Sequence, residues 1–95
     1  MMPEKLVYQE YYRKLTIHTS VINAILISPD GSRLVTGSDD STVLVWSTDR
    51  GSVLCRIKTH SPVLSLAWVN PVRNSYGFLF GCESGRLASV NLSEV

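Results

Sequence analysis

His18, Thr36 and Asp40 are the types that make a general base, a hydroxyl nucleophile and the carboxylate that orients the base, a set that drives hydrolysis on several unrelated folds. The setting of Thr36 weighs against that chemistry. It lies inside the extended-looking run Leu34-Val-Thr-Gly-Ser38 and lacks the exposed strand-to-helix elbow on which a nucleophile is normally presented. His18 and Asp40 could also hold a metal ion, but they stand 22 residues apart with no cysteine or second histidine nearby, so no metal site is expected. The glycine pair Gly81 and Gly85 has neither a lysine nor a following helix, so no phosphate-binding loop and no cofactor are expected. What these side chains do instead depends on the elements that hold them.

Those elements read as strands, and no window carries a clear helical period. Residues 22–27 are aliphatic at nearly every position, which predicts a strand with two apolar faces inside a stack. Ser28-Pro-Asp-Gly31 is a turn, since proline presets φ and glycine accepts positive φ. Strands are then expected at 33–38, 42–46 and 52–57, with turns at Asp39-Asp-Ser41 and at 48–51. The pattern begins again at His60, 42 residues after His18, with strands expected at 63–69, 76–82 and 86–90 and a turn at Glu83-Ser-Gly85. A period of about 40–45 residues is that of a four-stranded β-propeller blade. The predicted fold class is all-β, built of antiparallel four-stranded propeller blades, one complete and one partial. The chain divides into an N-terminal arm (1–14), a leading strand with the first blade (15–59) and a second, degenerate and incomplete blade (60–95).

The ordered features His18, Ser28-Pro-Asp-Gly31, Leu34-Val-Thr-Gly-Ser38, Asp40 and Val45-Trp46 resemble the WD-repeat family of β-propellers. The resemblance covers about residues 15–92 and is specific in the first unit. It implies a buried hydrogen-bonded tetrad of His18, Thr36, Asp40 and Trp46. The second unit keeps His60 but has Phe80, Ser84 and Val90 at the other three positions, so packing of Trp68, Phe78, Phe80 and Leu87 is expected to replace the network. The resemblance also implies a docking surface at the end of the blades that carries the loops around 18–21, 39–41, 60–62 and 83–85. The candidate contact residues there are Thr19, Ser20, Asp39, Ser61, Pro62 and Glu83.

Composition limits the function further. The 95 residues are 44% hydrophobic and 18% charged, with nine basic against eight acidic side chains. Such a balance gives no long-range attraction to nucleic acid or to an anionic membrane, and the short Tyr11-Tyr-Arg-Lys14 patch reads as part of a tethering arm. Cys55 and Cys82 have no redox or ligand spacing and fit a reduced compartment as core residues, so an intracellular location is expected, cytoplasmic or nuclear. The expected function is that of a non-enzymatic scaffold, or a fragment of one, which binds a protein or peptide partner. The alternatives are a truncated remnant without independent function and a nucleic-acid-binding module on the same blades. About two blades fall short of the four to eight that close a propeller, so self-assembly, including exchange of a leading strand from residues 9–17, is a further expectation.

Overall fold

The computed structural model describes residues 18–72 and 75–92. Its strands are β1 (Ile22–Ile27), β2 (Arg33–Ser38), β3 (Thr42–Ser47), β4 (Ser52–Lys58), β5 (Val63–Val72), β6 (Ser75–Cys82) and β7 (Leu87–Asn91). They form a four-stranded sheet in the order β1-β2-β3-β4 and a three-stranded sheet in the order β5-β6-β7, with every neighbouring pair antiparallel. This is an all-β fold of one complete blade and one partial blade. The arm at 1–14 and the leading strand at 15–17 lie outside the described residues. Among the described residues no helix is long and apolar enough to cross a membrane.

Short connections fix the register. In the β1–β2 turn, Asp30 accepts hydrogen bonds from the Ser28 hydroxyl at 2.7 Å and from the Ser32 amide at 3.0 Å, and the Gly31 amide bonds to the Ser28 carbonyl at 2.8 Å. The β2–β3 turn ends on Ser41 at φ 67°, and the corresponding β6–β7 turn ends on Gly85 at φ 90°. Glycine takes that left-handed geometry without the Cβ penalty that Ser41 bears.

Each sheet is matched to the other by its pleat. Leu26, Val35 and Val45 stand side by side across β1, β2 and β3, and Gly37 stands beside Val43. This face of the first sheet meets the face of the second that bears Leu66, Trp68, Phe78 and Phe80, and the two share one core with Val63, Cys82 and Leu92. Gly37 lies at the closest approach. A Cβ there would stand 2.5 Å from Val63 Cγ1, so only glycine lets β5 come this near to β2. The Asn23 side chain ties the same seam, donating to the Val63 carbonyl at 2.9 Å.

Two packing expectations need correction. Ile22–Ile27 does not lie with both faces inside a stack: Ala24 and Leu26 point toward the second sheet, while Ile25 and Ile27 are exposed. Leu87 does not join the core of the second blade and is exposed, because it sits on the face turned away from the first sheet. In both cases none of the other described strands packs upon that hydrophobic face.

Candidate functional site

The polar cluster is assembled from three elements. His18 precedes β1, Thr36 lies in the middle of β2, and Asp40 and Thr42 come from the turn into β3. His18 Nδ1 stands 3.0 Å from Asp40 Oδ2, and Nε2 stands 2.6 Å from Thr36 Oγ1. Trp46 Nε1 donates to Thr36 Oγ1 at 3.0 Å. The donor and acceptor roles follow from the partners: Nδ1–H donates to the carboxylate, and the bare Nε2 accepts from the Thr36 hydroxyl. Thr36 donates a hydrogen bond through its hydroxyl to His18 while its oxygen accepts one from the Trp46 indole N–H. His18, Thr36 and Trp46 are buried, so each of these groups needs its partner.

Asp40 collects several more donors. The Thr19 amide reaches Oδ2 at 2.8 Å, and the Thr42 amide reaches Oδ1 at 3.0 Å. The Thr42 hydroxyl bonds to the same carboxylate and lies 3.0 Å from His18 Nδ1. Burial pushes the Asp40 carboxyl up, but the hydrogen bonds from Thr42, the Thr19 amide and His18 outweigh it and hold the group below the ordinary carboxylate value. Asp40 also donates its own amide to Ser38 Oγ at 3.0 Å. Thr42 and Ser38 are members of the network that sequence reasoning missed. Their signal was a hydroxyl two residues on either side of a turn aspartate, the spacing at which side chains bond to nearby backbone.

This geometry has the base, hydroxyl and carboxylate order of a hydrolase but not its access. Thr36 is enclosed in the middle of a strand, and its oxygen is already held by both His18 and Trp46. Among the described residues no group of three or more His, Cys, Asp or Glu side chains could hold a metal ion.

The network fixes a loop surface at one end of the sheets. Besides the Thr19–Asp40 bond, the Asp39 amide bonds to the Val21 carbonyl at 3.0 Å and the Thr59 amide to the Ser41 carbonyl at 2.9 Å. In the second sheet the Glu83 amide bonds to the Pro62 carbonyl at 2.9 Å. Thr19, Ser20, Asp39 and Glu83 are exposed and Pro62 is half-buried. Asp39 is partly engaged, since Asn23 Nδ2 donates to its Oδ1 at 2.7 Å. Ser61 departs from the expectation of an accessible contact residue. It is buried, with its hydroxyl accepting the Ser84 amide at 3.1 Å and its carbonyl accepting the Thr59 hydroxyl at 2.7 Å. In this way Ser61 and Ser84 close the second loop pair without a carboxylate. His60 is exposed, at φ 62°.

The second sheet's register shows why it cannot repeat the network. Thr36 stands opposite Ile25 and Trp46 opposite Leu34, while Phe80 stands opposite Leu66 and Val90 opposite Phe78. Phe80 and Val90 therefore occupy the hydroxyl and indole positions, and Phe80 fills its place by packing.

Comparison with known proteins agrees with this architecture. The WD domain, G-beta repeat family matches residues 9–47. The chain is similar to a ribosome biogenesis protein BOP1 homolog of Culex quinquefasciatus, 41% identical over 69 residues that make up 73% of this chain and 8% of that protein. It is also similar to the homolog of Aedes aegypti, 43% identical over 51 residues, 54% of this chain and 6% of that one. The chain thus aligns with less than a tenth of the length of either relative. In structure it is similar to the computationally designed Ika4 protein, with a TM-score of 0.67 and 26% identity over 92% of this chain and 50% of that one. Residues 9–47 match the WD domain, G-beta repeat family, and the four-stranded and three-stranded antiparallel sheets have the form of one complete and one partial propeller blade.

Proposed function

We propose that the chain is a non-enzymatic scaffold that binds a protein or peptide partner through the loop end carrying Thr19, Ser20, Asp39, Pro62 and Glu83. The observation that carries this reading is the contrast between the rigid backbone of that end and its exposed side chains. The His18–Asp40 network holds the first loop pair, the Ser61–Ser84 bond holds the second, and Asn23 links the two, bonding to both Asp39 and the Val63 carbonyl. Rigid loops lose little conformational freedom on binding, which favours recognition of a specific surface. The enclosed Thr36 hydroxyl favours a structural role for the polar cluster over hydrolysis. The relatives' association with ribosome biogenesis stays with them, because the shared segment is a small part of each and consists of a recurrent blade.

The test is co-purification with the tagged chain from cells. Thr19→Arg combined with Glu83→Arg should lose bound proteins, while Asp49→Arg combined with Arg50→Glu, at the opposite end of the first sheet, should keep them. Equal recovery with both double variants, given unchanged circular dichroism, would reject the loop end as the docking surface.

A further inference from the structure

The two sheets provide an internal standard for burial, because equivalent positions can be compared directly. Ile22 stands opposite Ser38 just before a bulge at Asn23, and Val63 stands opposite Cys82 just before a bulge at Leu64. Val63 is 0% exposed, seated over Gly37 of the first sheet, whereas its equivalent Ile22 is 49% exposed. The opposite side gives the same contrast. Val43, beside Gly37, is 0% exposed, whereas Leu87, beside Gly81, is 71% exposed.

Among the described residues there are therefore one complete sheet-to-sheet junction and two unmatched halves of that same junction. One half is the β1 stripe of Ile22 and Ile25, the latter 65% exposed. The other is the outer face of the second sheet around Gly81 and Leu87. Within the chain the junction is made by β5 against β1 and β2, so the unmatched β1 stripe needs only a β5–β6 surface to complete it. Leu44 and Trp46, on the same face as Ile25, are already buried and ask for nothing more. The second sheet offers the required surface, with a glycine in register: Gly81 occupies the position that Gly37 holds in the first.

We propose that copies of this chain associate head to tail, with Ile22 of one copy seated over Gly81 of the next as Val63 is seated over Gly37. The partner is a second copy because the chain's own complete junction specifies both surfaces, and each copy carries one of each. Since the two surfaces differ, the contact is heterologous, and addition of copies continues until a ring closes. The loop end proposed to bind partners takes no part in the contact.

Light scattering at several concentrations tests this with wild type, Ile25→Glu and Leu87→Glu. Wild type should have a mass of several copies, and each variant alone should be a monomer. An equimolar mixture of the two variants should form a complex of two chains and nothing larger, because only one intact junction remains between them. Excess Leu87→Glu added to wild type should lower its mass by capping the growing end, a readout that stands even if Ile25→Glu perturbs folding. A folded wild-type monomer at every concentration, or assemblies unchanged by Leu87→Glu, would overturn the proposal, as would a variant mixture that stays monomeric while wild type assembles.

Discussion

Thr36 Oγ1 can serve His18 and Trp46 together because a hydroxyl is at once a donor and an acceptor; valine of the same shape would strand two buried nitrogens. Asp40 is the other pivot, holding the imidazole, the Thr19 amide and Thr42 at once. Replacing Asp40 with alanine should cost about 2–4 kcal/mol, since it leaves buried donors unpaired. Ser84→Ala, at the equivalent turn position, should cost far less, because Ser84 is exposed and engages Ser61 through its backbone amide. Urea denaturation of both variants checks the contrast, and equal losses would contradict it. Acid gives an independent test. The Asp40 carboxyl is lowered below the ordinary carboxylate value of 3.8 in the folded chain, so its contribution is fully present above that value and is lost as pH falls through the folded value. Asp30 acts in the same sense, lowered to about 2 by the Ser32 amide and by the Ser28 and Ser32 hydroxyls. The stability difference between wild type and Asp40→Ala should therefore shrink as pH falls from about 6 to about 2. A constant difference across that range would remove the carboxylate from the account.

At the scale of the strands, the close seam between β2 and β5 depends on Gly37. Gly37→Ala would bring a Cβ to 2.5 Å from Val63 Cγ1, and forcing the strands apart should cost about 1–3 kcal/mol even though alanine is the better strand residue. Adding Val63→Ala removes the colliding methyl, so the double variant should lose less than the sum of the single losses. Strictly additive losses would place the strain elsewhere. Strand positions were readable from turn chemistry: Ser28-Pro-Asp-Gly31 and Asp39-Asp-Ser41 delimit β2, and Ile22–Ile27 and Arg33–Ser38 fall where the residues predict. The seam was less readable. A lone asparagine in an aliphatic strand does not announce a bulge, yet Asn23 is where β1 slips register against β2 and reaches across to β5. Thr42 was likewise hidden, because a β-branched residue at a strand start is explained by propensity alone until its hydroxyl is seen on Asp40.

Across the molecule, what sequence could not supply is which apolar faces find a neighbour. Ile25 and Leu66 are both aliphatic and occupy the same place in their sheets, but Leu66 packs into the shared core and Ile25 is exposed. The difference is set by position in the stack, which a periodic pattern does not encode. The core that does form belongs to both sheets, since Val35, Val43 and Val45 lie with Val63, Phe78, Phe80 and Cys82 in one cluster. Repeat units coupled through such an interface should unfold together. The free thiol of Cys82 is buried in the second sheet and can report this, with the half-buried Cys55 replaced by alanine to leave a single reactive site. At one fixed protein concentration, the urea midpoint for thiol labelling of Cys82 should coincide with that of far-ultraviolet circular dichroism. Adding Asp40→Ala, a change confined to the first sheet, should move both midpoints down by the same amount. If Cys82 instead stays protected after the first sheet has melted, the sheets unfold as separate units, and the Gly37–Val63 seam does not couple them.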